Sequence, residues 1–250
     1  MTDNAGDVND KAAVLRALHQ GRAAEDPLVL PGPWDAASAR VFADAGFAAL
    51  ATPSAGISAA LGYPDGQGTP VAEMFAAVGR ITRAVDVPVS ADMEAGYGLP
   101  AKEFVERLLE AGAVGCNLED SDPLSKRLND PQRQADWLAE VRAAAGAALV
   151  INARVDTYLR GEDRTTATAV ERGRLYAAAG ADCVYPILAP PTQLAALAAG
   201  IGLPLNALCK PGGPAPRELG VMGATRITFG GGLHQQSLDT LTSLAEGLRR

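Results

Sequence analysis

Short apolar runs alternate with longer amphipathic stretches along the chain. The apolar runs predict strands at 28–32, 47–52, 87–93, 113–120, 148–155, 181–187, 203–208 and 224–230. The alanine-rich amphipathic stretches predict helices at 36–45, 71–84, 101–111, 131–145, 166–179, 192–199 and 235–249. A left-handed helix cap favours glycine, and such glycines follow five of these stretches: Gly46, Gly112, Gly146, Gly180 and Gly200. The pattern therefore predicts eight strand–helix units in succession.

Eight such units without a long polar linker predict an α/β fold, a closed (β/α)8 barrel of the TIM type. We expect residues 1–250 to form one domain, with an extra N-terminal helix at about 9–20 and a flexible segment at 1–8. The alternative is a doubly wound open sheet. That fold usually has fewer strands and a glycine-rich first turn, which the sequence lacks.

Polar residues stand where several predicted strands end. Asp92 and Glu94 end the third strand, and Glu119 ends the fourth. Arg154 ends the fifth and Asn206 the seventh. Because active sites of such barrels lie at the carboxyl ends of the strands, we expect these side chains to converge on one rim. Strand alternation places Glu119 and Asn117 on one face of the fourth strand, with Cys116 and Leu118 on the other.

Composition excludes several classes of partner. The formal net charge of −7 and pI near 4.9 argue against nucleic acid or an anionic membrane, which need a basic face. The three cysteines are too few and too scattered for a disulfide framework, as expected for a reducing cytoplasm. The stretch MTDNAGDVND has neither the basic nor the apolar region of an export signal. We therefore predict a cytoplasmic protein with a small-molecule substrate.

The predicted rim carries carboxylates without nearby histidine or thiolate ligands. Oxygen donors of this kind favour Mg²⁺, or Mn²⁺, over Zn²⁺. The chain has only two histidines, His19 and His234, and they are not in a ligand-spaced pair. A divalent ion of this type can chelate a 2-oxo acid and stabilise an enolate, while Arg154 holds a substrate carboxylate. The alternative interpretation is that these acids cap helices and pair with surface bases.

Five motifs together resemble the isocitrate lyase and phosphoenolpyruvate mutase superfamily. They are PGPWDAASARVFADAGFAALATPSAG at 31–56, GYPDG at 62–66, ADMEAGYG at 91–98, NLEDS at 117–121 and NARVD at 152–156. The similarity runs from about residue 27 to about residue 232 in family order. It implies a (β/α)8 barrel whose Mg²⁺ is held largely through waters. The acids that match the family's metal site are Asp92, Glu94 and Glu119.

The resemblance also implies roles for other positions. An arginine matching Arg154 contacts the substrate, and an acid matching Asp65 lies near the metal. The segment matching Ser54, Ala55 and Gly56 binds the 2-oxo carboxylate. We add Asn206 as a candidate substrate contact and Tyr97, between two glycines, as a candidate proton donor. Family members usually form tetramers, so we expect a homo-oligomer, either a dimer or a tetramer.

Departures from the family narrow the activity. The isocitrate and methylisocitrate lyases carry a K-K-C-G-H type loop, but SDPLSKRLNDPQRQ at 121–134 has no cysteine or histidine. Pro186 stands near the place of the histidine that grips a phosphonyl group in the mutases. The remaining prediction is a Mg²⁺-dependent lyase or decarboxylase that makes a pyruvate enolate from a small 2-oxo or 2-hydroxy diacid such as oxaloacetate. Within the loop, Lys126, Arg127 and Asn129 are candidates for a second carboxylate.

Other hypotheses stay open at this point. The resemblance to the mutases implies, as an alternative, an enzyme that makes or breaks a P–C bond in phosphoenolpyruvate or carboxyphosphonoenolpyruvate. The missing loop acid is compatible with a non-catalytic binder of 2-oxo acids. Lys210, after the seventh strand, is the candidate for a Schiff-base aldolase, and FGGGLH at 229–234 for a phosphate site.

Overall fold

The computed structural model describes residues 3–249, with side chains described from residue 8 onward. Within that range the strands are β1 (Leu28–Val29), β2 (Leu50–Thr52), β3 (Val89–Asp92), β4 (Gly115–Leu118), β5 (Val150–Val155), β6 (Cys183–Pro186), β7 (Asn206–Leu208) and β8 (Arg226–Thr228). The α-helices are α1 (Asp3–Leu18), α2 (Ala36–Asp44), α3 (Ser54–Leu61), α4 (Val71–Thr82), α5 (Ala101–Glu110), α6 (Pro131–Ala145), α7 (Thr157–Arg160), α8 (Thr166–Ala178), α9 (Leu194–Ile201), α10 (Pro216–Val221) and α11 (Gly232–Gly247).

The strands form one closed, parallel barrel. Strands β2 to β6 pair in sequence order, and β1, β8 and β7 pair in a second group. Val184 of β6 pairs in parallel with Leu205 next to β7, which joins the two groups on one side. On the other side the Ala51 N–H donates to the Pro31 carbonyl at 3.1 Å. The predicted (β/α)8 barrel with an extra N-terminal helix is thus confirmed.

Helix α1 covers the amino-terminal end of the barrel. Leu15 is fully buried in a cluster with residues that begin or precede strands, among them Val114 and Val150. A Cβ on Gly115 would lie 2.8 Å from a Leu15 methyl carbon, so the helix approaches the strand directly. Apolar packing closes this end, and the polar strand ends predicted from the sequence lie at the opposite end. The helix begins at Asp3, earlier than predicted, and residues 1–2 of the segment expected to be flexible lie outside the described residues.

Three helices were not predicted, namely α3, α7 and α10. Each is short, at eight, four and six residues, so the apolar periodicity that identifies a helix has no room to develop. The prediction that Gly200 caps a helix was wrong. Gly200 lies inside α9. The glycine that caps this helix is Gly202, whose φ is +79°.

Helix α11 is buried at its first turn and largely exposed along the rest of its length. Its leucines lie on the surface, with Leu241 at 60% and Leu244 at 62% exposed. His234, in its first turn, is buried against Trp34, with the ring centroids 5.1 Å apart. The helix therefore contacts the barrel at its start and presents an apolar stripe beyond it. Among the described residues, no helix combines the length and apolar character that crossing a membrane requires.

Candidate active site

A cavity of about 370 Å³ opens at the carboxyl ends of the barrel strands. Seven of the residues predicted from the sequence line it: Ser54, Ala55, Asp65, Asp92, Glu94, Glu119 and Arg154. They come from separate loops and strands, and the parallel barrel brings them together as the periodicity predicts. Cys116 is fully buried and is not among the lining residues, so the predicted alternation along β4 is confirmed.

Asp92 ends β3 with both carboxylate oxygens in hydrogen bonds. Its Oδ2 accepts from the Ser54 hydroxyl at 2.8 Å and from the Ser54 N–H at 3.3 Å. Its Oδ1 accepts from the Asn117 side-chain amide at 3.0 Å. These bonds come from two different neighbouring elements, α3 and β4. They fix the orientation of the carboxylate before any ligand arrives.

A ladder of buried amides supports Asp92 from below. Strand register places Asp92 beside Asn117, and Asn117 beside Asn152. The Asn152 amide donates to the Asn117 oxygen at 3.0 Å and to the Asn206 oxygen at 3.4 Å. Asn206 in turn donates to the Thr228 hydroxyl at 2.9 Å. Asn206 is fully buried and is not among the lining residues, so the structure gives it a supporting position rather than the predicted substrate contact.

Glu94 is held in a strained loop just after β3. It is 2% exposed and has a φ of +50°, a left-handed conformation that is uncommon outside glycine. Its two oxygens accept from the Tyr97 hydroxyl, at 2.7 Å, and from the Gln67 N–H. Burial raises the pKa of Glu94 to about 7, and the hydrogen bond from Tyr97 opposes that shift. Strain of this kind commonly marks functional sites.

Tyr97 does not line the cavity, although the sequence suggested it as a proton donor. Its hydroxyl points at Glu94, and burial, together with the Glu94 charge, raises the pKa of this phenol. Its backbone is also left-handed, with a φ of +57°, between the two glycines that the sequence analysis noted. The Tyr97 hydroxyl is therefore engaged with Glu94 and helps to fix the orientation of that carboxylate.

Arg154 bridges two carboxylates at the end of β5. Its guanidinium contacts Asp156 in a fork, with distances of 2.5 and 3.1 Å, and forms an ion pair with Glu119. Burial raises the pKa of Glu119, and Arg154 opposes that shift. Because a guanidinium has five N–H donors and three are engaged here, two remain for a ligand. Asp156, fully buried, is a residue that the sequence analysis did not assign to the site.

A second buried network fixes the position of Glu119, the residue directly after β4. The adjacent Asp120 is fully buried and accepts from Arg172 at 2.7 Å, from Tyr176 at 2.7 Å and from the Asp156 N–H at 2.7 Å. Arg172 and Tyr176 belong to α8, which packs outside the barrel. Asp120 thus ties strand to helix, and Glu119 is left facing the cavity.

Helix α3 presents its amino terminus to the cavity. Pro53 caps the helix without a side-chain hydrogen bond, and the Ser54 N–H donates to Asp92, so the next two N–H groups, of Ala55 and Gly56, are available to a ligand. Gly231, in the loop after β8, lies so close that a Cβ there would be 3.4 Å from the Ala55 Cβ. Gly56 does not line the cavity. A Cβ on Gly56 would approach Pro53 to 2.9 Å, so glycine is required there for packing.

The acidic cluster fits a hard divalent cation bound mainly through water. Asp92, Glu94 and Glu119 line one cavity together with Asp65, and burial, followed by repulsion from the neighbouring acids, raises the pKa values of Glu94 and Glu119. Among the described residues, no three acids, histidines or cysteines are grouped closely enough to ligate one ion directly. Mg²⁺ usually keeps several waters and binds one or two carboxylates. The donor set therefore fits Mg²⁺ in that mode, and it does not fit zinc.

Lys210 lies apart from this cluster. It lines a second cavity of about 290 Å³, whose other walls include Leu188, Leu194 and Pro214. Lys210 is exposed, whereas a lysine that forms a Schiff base needs a desolvated pocket. Of the described residues that line the first cavity, Lys126 is the only lysine, and it comes from the exposed loop after β4. The arrangement therefore gives no support to a Schiff-base aldolase.

Fold and site together define a (β/α)8 barrel with an acid-lined cavity at the carboxyl ends of its strands. A family model described as phosphoenolpyruvate phosphomutase matches residues 15–249. The chain belongs to the phosphoenolpyruvate mutase family, within the superfamily that includes the isocitrate lyases.

Named relatives span several activities of this superfamily. An oxaloacetate decarboxylase from Rhodopseudomonas palustris is 33% identical over 225 residues, which cover 84% of this chain and 73% of that protein. A "Probable 2-methylisocitrate lyase 2" from Corynebacterium glutamicum is 32% identical over 204 residues, covering 77% and 65%. A solved structure of a "putative phosphonomutase" from Burkholderia cenocepacia is 41% identical with a TM-score of 0.88, covering 95% of this chain and 99% of that one.

Proposed function

We propose that the protein is a Mg²⁺-dependent lyase or decarboxylase. Its substrate is a small 2-oxo or 2-hydroxy diacid similar to oxaloacetate, and the reaction passes through a pyruvate enolate. The observation that carries the proposal is the convergence of Asp92, Glu94 and Glu119 on one cavity wall, beside the cation of Arg154. Relatives that are lyases and an oxaloacetate decarboxylase support the same class of reaction.

The chain's own residues bind and orient the substrate. The Ala55 and Gly56 N–H groups at the start of α3 donate to the 2-oxo carboxylate, and Ser54, whose hydroxyl holds Asp92, lines the cavity beside them. Arg154 contributes its two remaining N–H donors, held in place by Asp156. Asp92, Glu94, Glu119 and Asp65 hold the hydrated ion. When bound, Mg²⁺ supplies the positive charge that stabilises the enolate oxygen as the adjacent bond breaks.

The test is pyruvate release from a panel of 2-oxo acids and 2-hydroxy diacids, including oxaloacetate and substituted malates. We expect turnover with Mg²⁺ above a protein-free blank, which is needed because oxaloacetate loses CO₂ unaided. Excess chelator should abolish the difference, added Mg²⁺ should restore it, and oxalate should compete as an enolate mimic. Turnover that persists in excess chelator would contradict the proposal.

Replacing Asn117 by alanine should weaken Mg²⁺ binding about 10- to 100-fold, the usual effect of removing a residue that orients a ligand. The variant removes the amide that holds Asp92 Oδ1 at 3.0 Å, while the carboxylates themselves stay. Calorimetric titration with Mg²⁺ measures the change. Cys116→Ala, on the other face of the same strand, is the matched control. Equal affinity in the wild type and the Asn117 variant would show that the amide does not orient Asp92 for the ion.

A second candidate function is the making or breaking of a P–C bond. It is favoured by the description of the matching family and by the name of the 41% identical structure. Against it, neither His19 nor His234 is among the residues that line the cavity, so the described part of the chain offers a phosphonyl group no imidazole. Interconversion of phosphonopyruvate and phosphoenolpyruvate, followed by ³¹P NMR, distinguishes the two candidates.

Thermal stabilisation by 2-oxo acids without any turnover would instead indicate a binding protein.

We further propose a cytoplasmic homo-oligomer, a dimer or tetramer, in which a second copy covers the exposed leucines of α11. The support is the apolar stripe of Leu238, Leu241 and Leu244. The double variant L241K and L244K should lower the molar mass measured by light scattering to that of one chain. Thr240→Lys, on the same helix, should leave it unchanged. A monomeric wild-type protein would contradict this assembly.

A further inference from the structure

Two exposed cationic side chains stand at the mouth of the cavity without a carboxylate partner. Lys126 comes from the loop after β4, and Arg160 ends α7 after β5. Both line the cavity, and neither forms an ion pair with another described residue. Exposed cations are common on surfaces. Lys126 and Arg160, however, line the same acid-rich cavity, and neither is paired with one of its acids. They are therefore positioned to bind an anion that enters from the solvent.

The other two cations of the cavity are either paired with carboxylates or buried. Arg154 is neutralised by Asp156 and Glu119. Arg226 is 1% exposed at the cavity floor, where its Nη2 donates to the Ser90 hydroxyl at 3.2 Å. A substrate with two negative charges therefore meets its first free, solvent-accessible cations at the mouth. These are Lys126 and Arg160.

A fixed hairpin holds Lys126 at this place. Ser121 pairs with Leu128 in antiparallel fashion, and the Asp122 N–H donates to the Arg127 carbonyl at 2.8 Å. The Lys126 ammonium lies 2.9 Å from where a Cβ on Gly66 would stand, so it reaches the opposite loop that carries Asp65. Its backbone is left-handed, with a φ of +59°. The hairpin thus spans the mouth and directs one cation across it.

The structure separates the three loop residues that the sequence suggested for a second carboxylate. Lys126 lines the cavity, whereas Arg127 and Asn129 do not. Asn129 bonds to Gln134 at 3.0 Å, and its carbonyl accepts from Arg172. The second cation at the mouth is Arg160, which ends α7, a helix too short to be predicted from the sequence.

We propose that Lys126 and Arg160 form a distal anion subsite that selects substrates with a second carboxylate beyond the 2-oxo acid group. This inference rests on the proposed function, which places the 2-oxo carboxylate at α3. The cavity volume of about 370 Å³ leaves room beyond that head group. Because both side chains act on a part of the substrate that does not react, they affect binding and selection more than the chemical step.

Calorimetric binding of a matched pair of 2-oxo acids in the presence of Mg²⁺ tests the subsite. 2-Oxoglutarate and 2-oxopentanoate have the same length and head group and differ in the terminal carboxylate. We expect the wild-type protein to prefer 2-oxoglutarate about 10-fold, which corresponds to one strong charge-assisted contact. The double variant K126Q and R160Q should reduce the preference to less than about 2-fold. Arg127→Gln, on the same hairpin but outside the cavity, should keep it.

Each outcome bears on the inference. A preference that survives in the double variant, or a wild type that binds both acids equally well, would overturn the subsite and leave the proposed function standing. Loss of the preference in Arg127→Gln would also overturn it, because the effect would then come from general surface charge. If oxalate and both acids fail to bind with Mg²⁺, the proposed function fails, and the subsite with it.

Discussion

Asp92→Ala should lower turnover by at least about 100-fold in the presence of saturating Mg²⁺. The side chain is the point where the amide ladder, the start of α3 and the acidic cluster meet. Without it, the ion loses an anchor that is already oriented, and the remaining acids have no equivalent position. Steady-state pyruvate release against an enzyme-free blank measures the effect.

The same variant should remain folded. Asp92 repels Glu94 and Glu119, and it raises the pKa of both. Its removal therefore relieves repulsion while it breaks hydrogen bonds, and the two effects oppose each other. Asp86→Ala is the matched control, because Asp86 is an exposed acid in the loop that precedes the same strand. An active Asp92→Ala enzyme would contradict the assignment of this residue, whereas an unfolded one would show that its structural bonds dominate.

Arg154→Met should remove activity and also destabilise the protein by about 3–5 kcal/mol. The substitution leaves Asp156, which is fully buried, and Glu119 without their cation. A buried carboxylate that has lost its partner keeps its desolvation cost, and this cost is the source of the lost stability. Urea unfolding midpoints measure it, with Arg133→Met on the exposed surface of α6 as the control.

Arg154→Lys separates charge from geometry at this position. Lysine keeps the positive charge but cannot form the two-pronged contact with Asp156. We expect it to recover part of the stability and little of the activity. A methionine variant as stable as the wild type would show that Asp156 and Glu119 are already neutral, which contradicts the ion pairs described above.

The sequence predicts the positions of strand ends well, because two simple periodicities set them. The acids at 92, 94 and 119 follow apolar runs, and parallel strands must end on the same rim. Their shared cavity is the direct result. The same periodicity predicts that Cys116 points away from it, as the structure confirms.

Long-range partners are not encoded in any local pattern. Asp120 and Asp156 look in the sequence like ordinary acids at the ends of strands, yet both are fully buried and hydrogen-bonded to side chains from other segments. Arg160 sits on a single helical turn with no periodicity of its own. Tyr97 was given a role from its glycine neighbours, but its left-handed backbone turns the hydroxyl to Glu94. The roles of such residues can be assigned only when the three-dimensional structure shows which side chains they contact.

We expect the oxygen donors at the barrel mouth to hold a divalent ion against a 2-oxo acid. A crystal soaked with Mn²⁺ and oxalate tests it most directly through the anomalous signal of the metal. The account predicts one strong peak in the cavity, joined to Asp92, Glu94 and Glu119 directly or through one water each, with oxalate between it and the start of α3. A cavity without a peak, or a metal bound elsewhere on the chain, would contradict the account.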